Sequence, residues 1–279
     1  MRVGTICAKY FQNSKKVLGM SLLQTSGFNN LIKAKNGYTL YNKYDKYIGR
    51  SIELYGEFSE KEVALFKQVC KKNATVVEIG ANIGTHTQAF SKMVGESGRV
   101  YAFEPQRIVF QTLCANLALN SILNVEAFQV ALGDEEGFVL LPDIVYDKEG
   151  NFGGIEFDKF STGRKIPKVK LDDFLKVDRV DFIKIDVEGM EKEVIDGSVS
   201  IIKRFKPILY VENDRREKSA SLIETIKNLD YNIFLHNPTL FNPDNFAKNS
   251  ENIFGKIVSK NLLCIHKDSK IKVDGFQAI

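Results

Sequence analysis

One stretch decides what this chain can fold into: Thr75 to Gln106, TVVEIGANIGTHTQAFSKMVGESGRVYAFEPQ. Its opening residues Thr75-Val76-Val77 are short and β-branched, as in a strand covered on both faces, and Gly80-Ala81-Asn82-Ile83-Gly84 breaks the strand sharply. A helix is expected from Thr85. After Gly95 and Gly98, Val100-Tyr101-Ala102-Phe103 gives a second strand, which stops at Glu104-Pro105 because proline donates nothing to a ladder. The result is a βαβ unit with an acid on its second strand tip. Such a unit binds a nucleoside: glycine lets a ligand approach the backbone, the helix start offers unpaired N–H groups, and the carboxylate accepts both ribose hydroxyls. The fingerprint G-x-G-x-x-G begun at Gly80 would need glycine where Asn82 and Thr85 stand, so close approach of a pyrophosphate is not provided for. Glu78 and Glu104 would repel phosphate, and they suit a positively charged nucleoside such as S-adenosylmethionine. An ordinary βα turn without a ligand is the plainer reading.

The chain has 279 residues, enough for one α/β domain with additions, and 44% hydrophobic against 27% charged residues indicates a folded protein. Residues 1–57 read as an N-terminal cap or extension and 58–279 as the main domain. The net charge of +4 is spread over scattered lysines without a basic run, so no nucleic-acid partner is expected. Cys7, Cys70, Cys114 and Cys264 make no C-x-x-C pair and read as buried thiols of a reducing compartment. Lysines interrupt the first twenty residues before a signal-length apolar stretch forms, and no run elsewhere approaches ~20 apolar residues, so no membrane span is expected. A cytoplasmic protein, compatible with homo-oligomers, is the expectation.

In order along the chain, Gly37-Tyr38-Thr39-Leu40-Tyr41 alternates like a strand edge. Ser59-Glu60-Lys61-Glu62 has capping-box spacing ahead of a helix carrying Val63, Phe66 and Val69 on one face. Helical spacing returns from Arg107 to Asn120, strands follow near Val125 to Val130 and Gly137 to Leu141, and Pro142 to Pro167 reads as a long functional loop. Asp181 to Gly189 is a strand and its exit, with a helix from Met190 to Lys203. Pro207 to Asn213 is the next strand, then a helix at Lys218 to Leu229 and strands at Asn232 to His236 and Leu262 to His266. Between these last two, Asn237 to Ser259 forms another long loop, expected with the loop at Asn151 to Gly154 to close over an acceptor and set specificity. This alternation gives an open, mainly parallel sheet with helices on both faces and ligands at the carboxyl strand ends.

The strand tips carry the chemistry. Lys184, Asp186 and Glu188 are two apart and would share one face of a straight strand, at the predicted ligand edge; the plainer reading is a structural ion network. Asp186 with Glu212-Asn213 offers oxygen atoms suited to magnesium, but the tips read instead as a hydrogen-bonded pair, and no metal is expected. His236 also ends a strand at the carboxyl edge and titrates near neutral pH. His86 lies in a first helical turn, where the dipole disfavours its protonation.

Together VVEIGANIGTHT, VYAFEPQ, ANLALN, ALGD, NFGG, DFIKIDVEGME and ILYVEN resemble the FkbM family of S-adenosylmethionine-dependent methyltransferases, from Leu54 to Cys264, through their ordered co-occurrence. The resemblance implies a class I methyltransferase (Rossmann-like) fold: a seven-stranded, mostly parallel sheet whose last strand runs antiparallel between the fifth and sixth. It implies methyl transfer to a hydroxyl on a sugar, glycan or small metabolite. By motif, Glu78, Gly80, Ala81, Asn82, Gly84 and Thr85 would surround the methionine part of the cofactor. Glu104 and Pro105 would meet the ribose, and Gln129 and Ala131 the adenine. Asp186, Glu188 and Asn213 would face the sulfonium and acceptor, and the loop Asn151-Phe152-Gly153 would close on the substrate. An alcohol must lose its proton, so Asp186, Glu188 and His236 are the candidate bases, Asp186 first. Two other classes share parts of this pattern. An RNA 2′-hydroxyl methyltransferase would need a basic, aromatic channel, which is not visible, and a non-catalytic S-adenosylmethionine-binding protein would lack the tip acids.

Overall fold

The expected edge at Gly37 to Tyr41 belongs to an antiparallel sheet of four strands, β1 (Ser14–Val17), β2 (Met20–Gln24), β3 (Asn29–Ala34) and β4 (Gly37–Asn42), paired in chain order. The structure, a computed structural model, describes residues 14–17 and 20–279; Cys7 and the first residues of the expected cap lie outside the described residues. Two helices follow, α1 (Ile48–Tyr55) and α2 (Glu60–Val69). The capping box before α2 does not form. Ser59 adopts left-handed backbone and makes no side-chain cap bond, and the carboxylate of Glu62 turns inward, where its Oε1 accepts from Asn261 Nδ2 at 2.9 Å.

The main domain then runs β5 (Thr75–Ile79), α3 (Thr85–Val94), β6 (Arg99–Phe103), α4 (Arg107–Leu119), β7 (Val125–Phe128), β8 (Ala131–Leu132), β9 (Gly137–Leu141), β10 (Arg164–Val169) and α5 (Leu171–Phe174). It continues with β11 (Phe182–Ile185), α6 (Glu191–Asp196), α7 (Val199–Phe205), β12 (Ile208–Glu212), α8 (Arg216–Lys227), β13 (Tyr231–His236), β14 (Asn261–His266) and β15 (Gln277–Ala278). The large sheet has the order β15-β13-β14-β12-β11-β5-β6-β7. Strands β12, β11, β5, β6 and β7 are parallel, and β14 runs antiparallel between β12 and β13, as expected. Among the described residues an eighth strand, two residues long, joins the edge beside β13. This mostly parallel arrangement, with helices packed on the sheet, is the class I methyltransferase architecture.

Period-two alternation sends Val77, Ile79, Ile183 and Ile185 to one core, and Val76, Phe182 and Tyr210 to another. Phe66 of α2 centres the second core, with its ring 4.9 Å from those of Phe90 and Tyr210. Two expectations need correction. The stretch Pro142 to Pro167 is not wholly irregular, because β10 pairs antiparallel with β9 and parallel with β8 in a separate three-stranded sheet. Its charged, proline-containing sequence shows no period, since Ile166 alone of its six residues is fully buried. The helix expected from Met190 to Lys203 is split between α6 and α7. Gly197 lies at the break so tightly against Gly133 that an added Cβ would fall 1.9 Å from the Gly133 carbonyl oxygen.

The N-terminal sheet is fastened to α4 by a buried amide. Asn116, fully buried, accepts from Leu40 N at 2.6 Å and donates to the carbonyl oxygens of Leu40 and Ile83 at 3.0 and 2.8 Å. We expect Asn116→Ala to cost about 3 kcal/mol, because three bonds vanish and buried backbone groups are left unpaired. Denaturant unfolding measures this loss.

Candidate active site

The carboxyl ends of β5, β6, β11 and β12 open into a cavity of about 340 Å³. Its first wall is the turn between β5 and α3. Gly80 has φ +83°, and a Cβ there would fall 1.7 Å from the carbonyl oxygen of Asp186, so glycine alone lets this turn lie against the β11 tip. Asn82, also left-handed, accepts from Ile83 N at 2.8 Å and donates its own N–H to Glu104 Oε2 at 3.0 Å. The other oxygen of Glu104 accepts from Gln106 N at 2.9 Å. Each oxygen therefore keeps a lone pair, and burial pushes the carboxyl up to about 7 against the pull of those two N–H groups. Glu78 accepts the Thr87 hydroxyl on Oε2 at 2.6 Å, while its Oε1 is buried without a partner. Burial pushes Glu78 up to about 7 as well.

Lys184 forms the floor at 2% exposure. Its Nζ donates to Asp186 Oδ2 at 2.7 Å. Burial alone would lower its proton affinity, but Asp186, Glu78 and Glu62 outweigh burial and hold it above the usual lysine range. Beyond Ile185 the strand geometry ends. Glu188 and Gly189 adopt left-handed backbone (φ +57° and +101°), and Glu188 accepts from Arg215 Nη2 at 2.5 Å. Arg215 also pairs with Asp214 and, at 3.5 Å, with Glu156. Glu212 Oε2, at the end of β12, is buried and lacks a hydrogen-bond partner. Oxygen atoms of Asp186, Glu188 and Glu212 lie within 4.8 Å of one another. Burial and the neighbouring Asp186 push Glu188 up to about 8, and burial with Asp186 and Glu188 pushes Glu212 well above the carboxylate range.

The opposite wall comes from outside the βαβ unit. Tyr47, Ile48, Phe58, Leu240, Ile257 and Val258 line it together with Lys260 and Asn261. Glu62 and His86 stand between the walls. His86 Nε2 is buried, lacks a hydrogen-bond partner and lies 3.7 Å from Glu62 Oε2. Burial, then Lys184, keeps His86 neutral, while burial pushes Glu62 up to about 7.

Of the residues expected at the site, Glu78, Gly80, Ala81, Asn82, Thr85, Glu104, Asp186, Glu188, Asn151 and Gly153 line this cavity. Gly84, Pro105, Gln129, Ala131, Phe152, Asn213 and His236 are not among its lining residues. Gly84 serves the start of α3, where a Cβ would strike Leu113 at 2.6 Å. Ala131 pairs with Lys168 in the small sheet. Phe152 packs on Tyr146, and its carbonyl oxygen accepts from Gln106 Nε2 at 2.8 Å. Asn213 lines a smaller neighbouring cavity with Gly189 and Glu191. His236 does end its strand at the carboxyl edge, but its Nδ1 is bonded to the Tyr210 hydroxyl at 2.8 Å and its ring packs on Phe276.

Leu240 and residues 257–259 belong to the loop Asn237 to Ser259, expected to close over the acceptor, and they line the cavity, whereas Glu62, Tyr47, Ile48, Lys260 and Asn261 had no expected place there. Glu62 carried a misleading capping signal, and the others carry no pattern that marks a pocket. The groups left over suit a ligand with adjacent hydroxyls, for Glu104, and a positive charge, for the carboxylate-rich floor. The volume falls in the range of small-molecule sites.

The profile of the Methyltransferase FkbM domain matches residues 78–233. Methyltransferase 1 of Beauveria bassiana is 26% identical over 184 residues, which cover 57% of this chain and 73% of that protein. Methyltransferase sdnD of Sordaria araneosa is 30% identical over 159 residues, 45% of this chain and 60% of its own length. Among solved structures, Methyltransferase FkbM from Methylobacillus flagellatus KT superposes with a TM-score of 0.47 at 20% identity, covering 68% of this chain and 43% of that one. Trm5b of Pyrococcus abyssi gives 0.49 at 10% identity, covering 88% and 57%. The matches thus span from under half to about three quarters of these proteins.

The buried acids make a stability prediction. Glu62, Glu78 and Glu104 bind protons more tightly folded, at about 7, than at the ordinary 4.5, so folding takes up protons between those values. Their contribution is fully present below the ordinary value and is lost as pH rises through the folded one. Thermal unfolding of the ligand-free protein should therefore occur at higher temperature near about pH 5 than near about pH 8. A flat or rising midpoint would contradict the burial of these acids in protonated form.

Proposed function

This chain belongs to the Methyltransferase FkbM domain family, whose methyl donor is S-adenosylmethionine, and from that premise we propose that it methylates a hydroxyl group on a sugar, glycan or small metabolite. The observation that carries the reading is that Glu104, the strand-tip carboxylates and an apolar wall all face one cavity. When bound, S-adenosylmethionine supplies a methyl group already activated on a sulfonium. The residues present fit it. Glu104 has a free lone pair on each oxygen for two ribose hydroxyls, and Glu78 Oε1 is an unmet acceptor for an ammonium or other cationic donor.

The protein's task is then positioning, exclusion of water and removal of one proton. Gly80, Ala81 and Asn82 bring the turn backbone to the cofactor. Tyr47, Ile48, Phe58, Leu240, Ile257 and Val258 provide the surface on which the acceptor's carbon skeleton rests. The carboxyl groups that line the cavity suit polyhydroxylated acceptors, whose hydroxyls can exchange hydrogen bonds with them. Asp186, fixed by Lys184, stands at the end of β11 nearest the turn and serves the hydroxyl proton with its neighbours Glu188 and Glu212.

Purified protein supplied with isotopically labelled S-adenosylmethionine and a panel of neutral glycosides and polyols should add the mass of one methylene to a hydroxyl acceptor. Transfer to RNA, or to nitrogen alone, would overturn the reading. Asp186→Asn should lower kcat by ~10²–10⁴ and leave cofactor affinity within a few-fold, as loss of acid–base help without loss of binding requires. Calorimetry with the cofactor beside steady-state rates separates the two effects.

A further inference from the structure

The carboxyl groups at the tips of β11 and β12 outnumber the cations bonded to them. Lys184 bonds one oxygen of Asp186, and Arg215 bonds one oxygen of Glu188 while also serving Asp214. Glu212 Oε2 receives no hydrogen bond, and Glu78 Oε1, in the same cavity at 1% exposure, receives none either. Three carboxylates within 4.8 Å of one another do not all ionise unless a further positive charge arrives.

We infer that the Asp186–Glu188–Glu212 group exchanges one proton in each catalytic cycle, releasing it when a positively charged ligand enters the cavity and recovering one from the acceptor hydroxyl when that charge is lost. The inference rests on the reading of the cavity as an S-adenosylmethionine site. In the transfer step a carbon–oxygen bond forms to the acceptor and the carbon–sulfur bond breaks, its electron pair staying on sulfur, which becomes a neutral thioether. The hydroxyl proton passes to the carboxylate group. Atoms and charge balance: the positive charge lost from sulfur is replaced by the proton gained, so the cavity keeps the same total charge. Product, being neutral, then finds the group protonated and exerts no pull on it.

The groups facing the trio are Glu62 from α2, Glu78 from β5, Glu104 from β6, Lys184 from β11, Glu191 from α6, and Asp214 and Arg215 after β12. The raised proton affinities of Glu188 and Glu212 agree with a group that is partly protonated near neutrality when no ligand is bound. Glu78 and Glu104 also titrate near neutrality, but the portions of the ligand suited to them are common to S-adenosylmethionine and S-adenosylhomocysteine. The difference between these two ligands isolates the response to the sulfonium charge.

Isothermal calorimetry of the full chain with each ligand, in buffers of different ionisation enthalpy near about pH 7, counts the protons exchanged. S-Adenosylmethionine should release about one proton more per site than S-adenosylhomocysteine, and Glu212→Gln and Glu188→Gln, each checked for native unfolding behaviour, should shrink that difference by half or more. Equal proton counts for the two ligands, or a full difference retained in both folded variants, would overturn the inference while leaving the cofactor reading intact. Absence of binding by both ligands would overturn the cofactor reading, and the inference with it.

Discussion

A buried ammonium group holds this site together. Lys184 lies beneath the cavity, in hydrogen-bond contact with Asp186 and favoured electrostatically by Glu78 and Glu62, which come from three different elements. A lysine is tolerated at 2% exposure only where acids surround it, and acids crowd that closely only around a cation. The turn after β5, the tip of β11 and the start of α2 are thereby committed to one arrangement. The close approach of Gly80 to the Asp186 carbonyl completes the lock from the backbone side.

Around that floor the cavity divides by origin. The half suited to a nucleoside, from Glu78 through Glu104 to Asp186 and Glu212, lies within the segment matched by the family profile. The opposite half lies outside it: Tyr47, Ile48, Phe58 and Glu62 precede residue 78, and Leu240 and residues 257–261 follow residue 233. The part shared with the family thus carries the residues we assign to the donor, and the flanking segments carry most of the apolar residues on which we place the acceptor. The N-terminal sheet is joined to this plan through Asn116, which ties β4 to α4 and to the Ile83 carbonyl just before α3.

Much of this was legible in the sequence because it follows from local rules. The β-branched run at Thr75, the glycine break at Gly80 and the acid at Glu104 specify a βαβ unit, and strand alternation specifies which tips meet a ligand. Lys184 and Asp186, two apart, do share a face and pair. The rule failed one step later, because Glu188 lies past the end of β11 in left-handed backbone and reaches its position through Arg215 rather than through pleat geometry. Glu62 was hidden for a different reason. Its spacing from Ser59 fits a capping box, and only the distant Asn261 and His86 reveal that it faces inward. His236 stands at the expected strand edge, outside the cavity lining, with its ring bonded to Tyr210 and packed on Phe276. The loop Asn237 to Ser259 was expected over the acceptor, but which of its residues reach the cavity carries no periodic signal, because that depends on how the long loop returns before β14.

Lys184 is the common counter-ion of the carboxyl groups of Asp186, Glu78 and Glu62. The most direct measurement is the unfolding free energy of Lys184→Met relative to the parent chain at two pH values. If Lys184 is the common counter-ion, the substitution should cost about 3–5 kcal/mol near about pH 8, where the acids must ionise, and far less near about pH 5, where protonation relieves them. An equal cost at both pH values, or none at either, would contradict it.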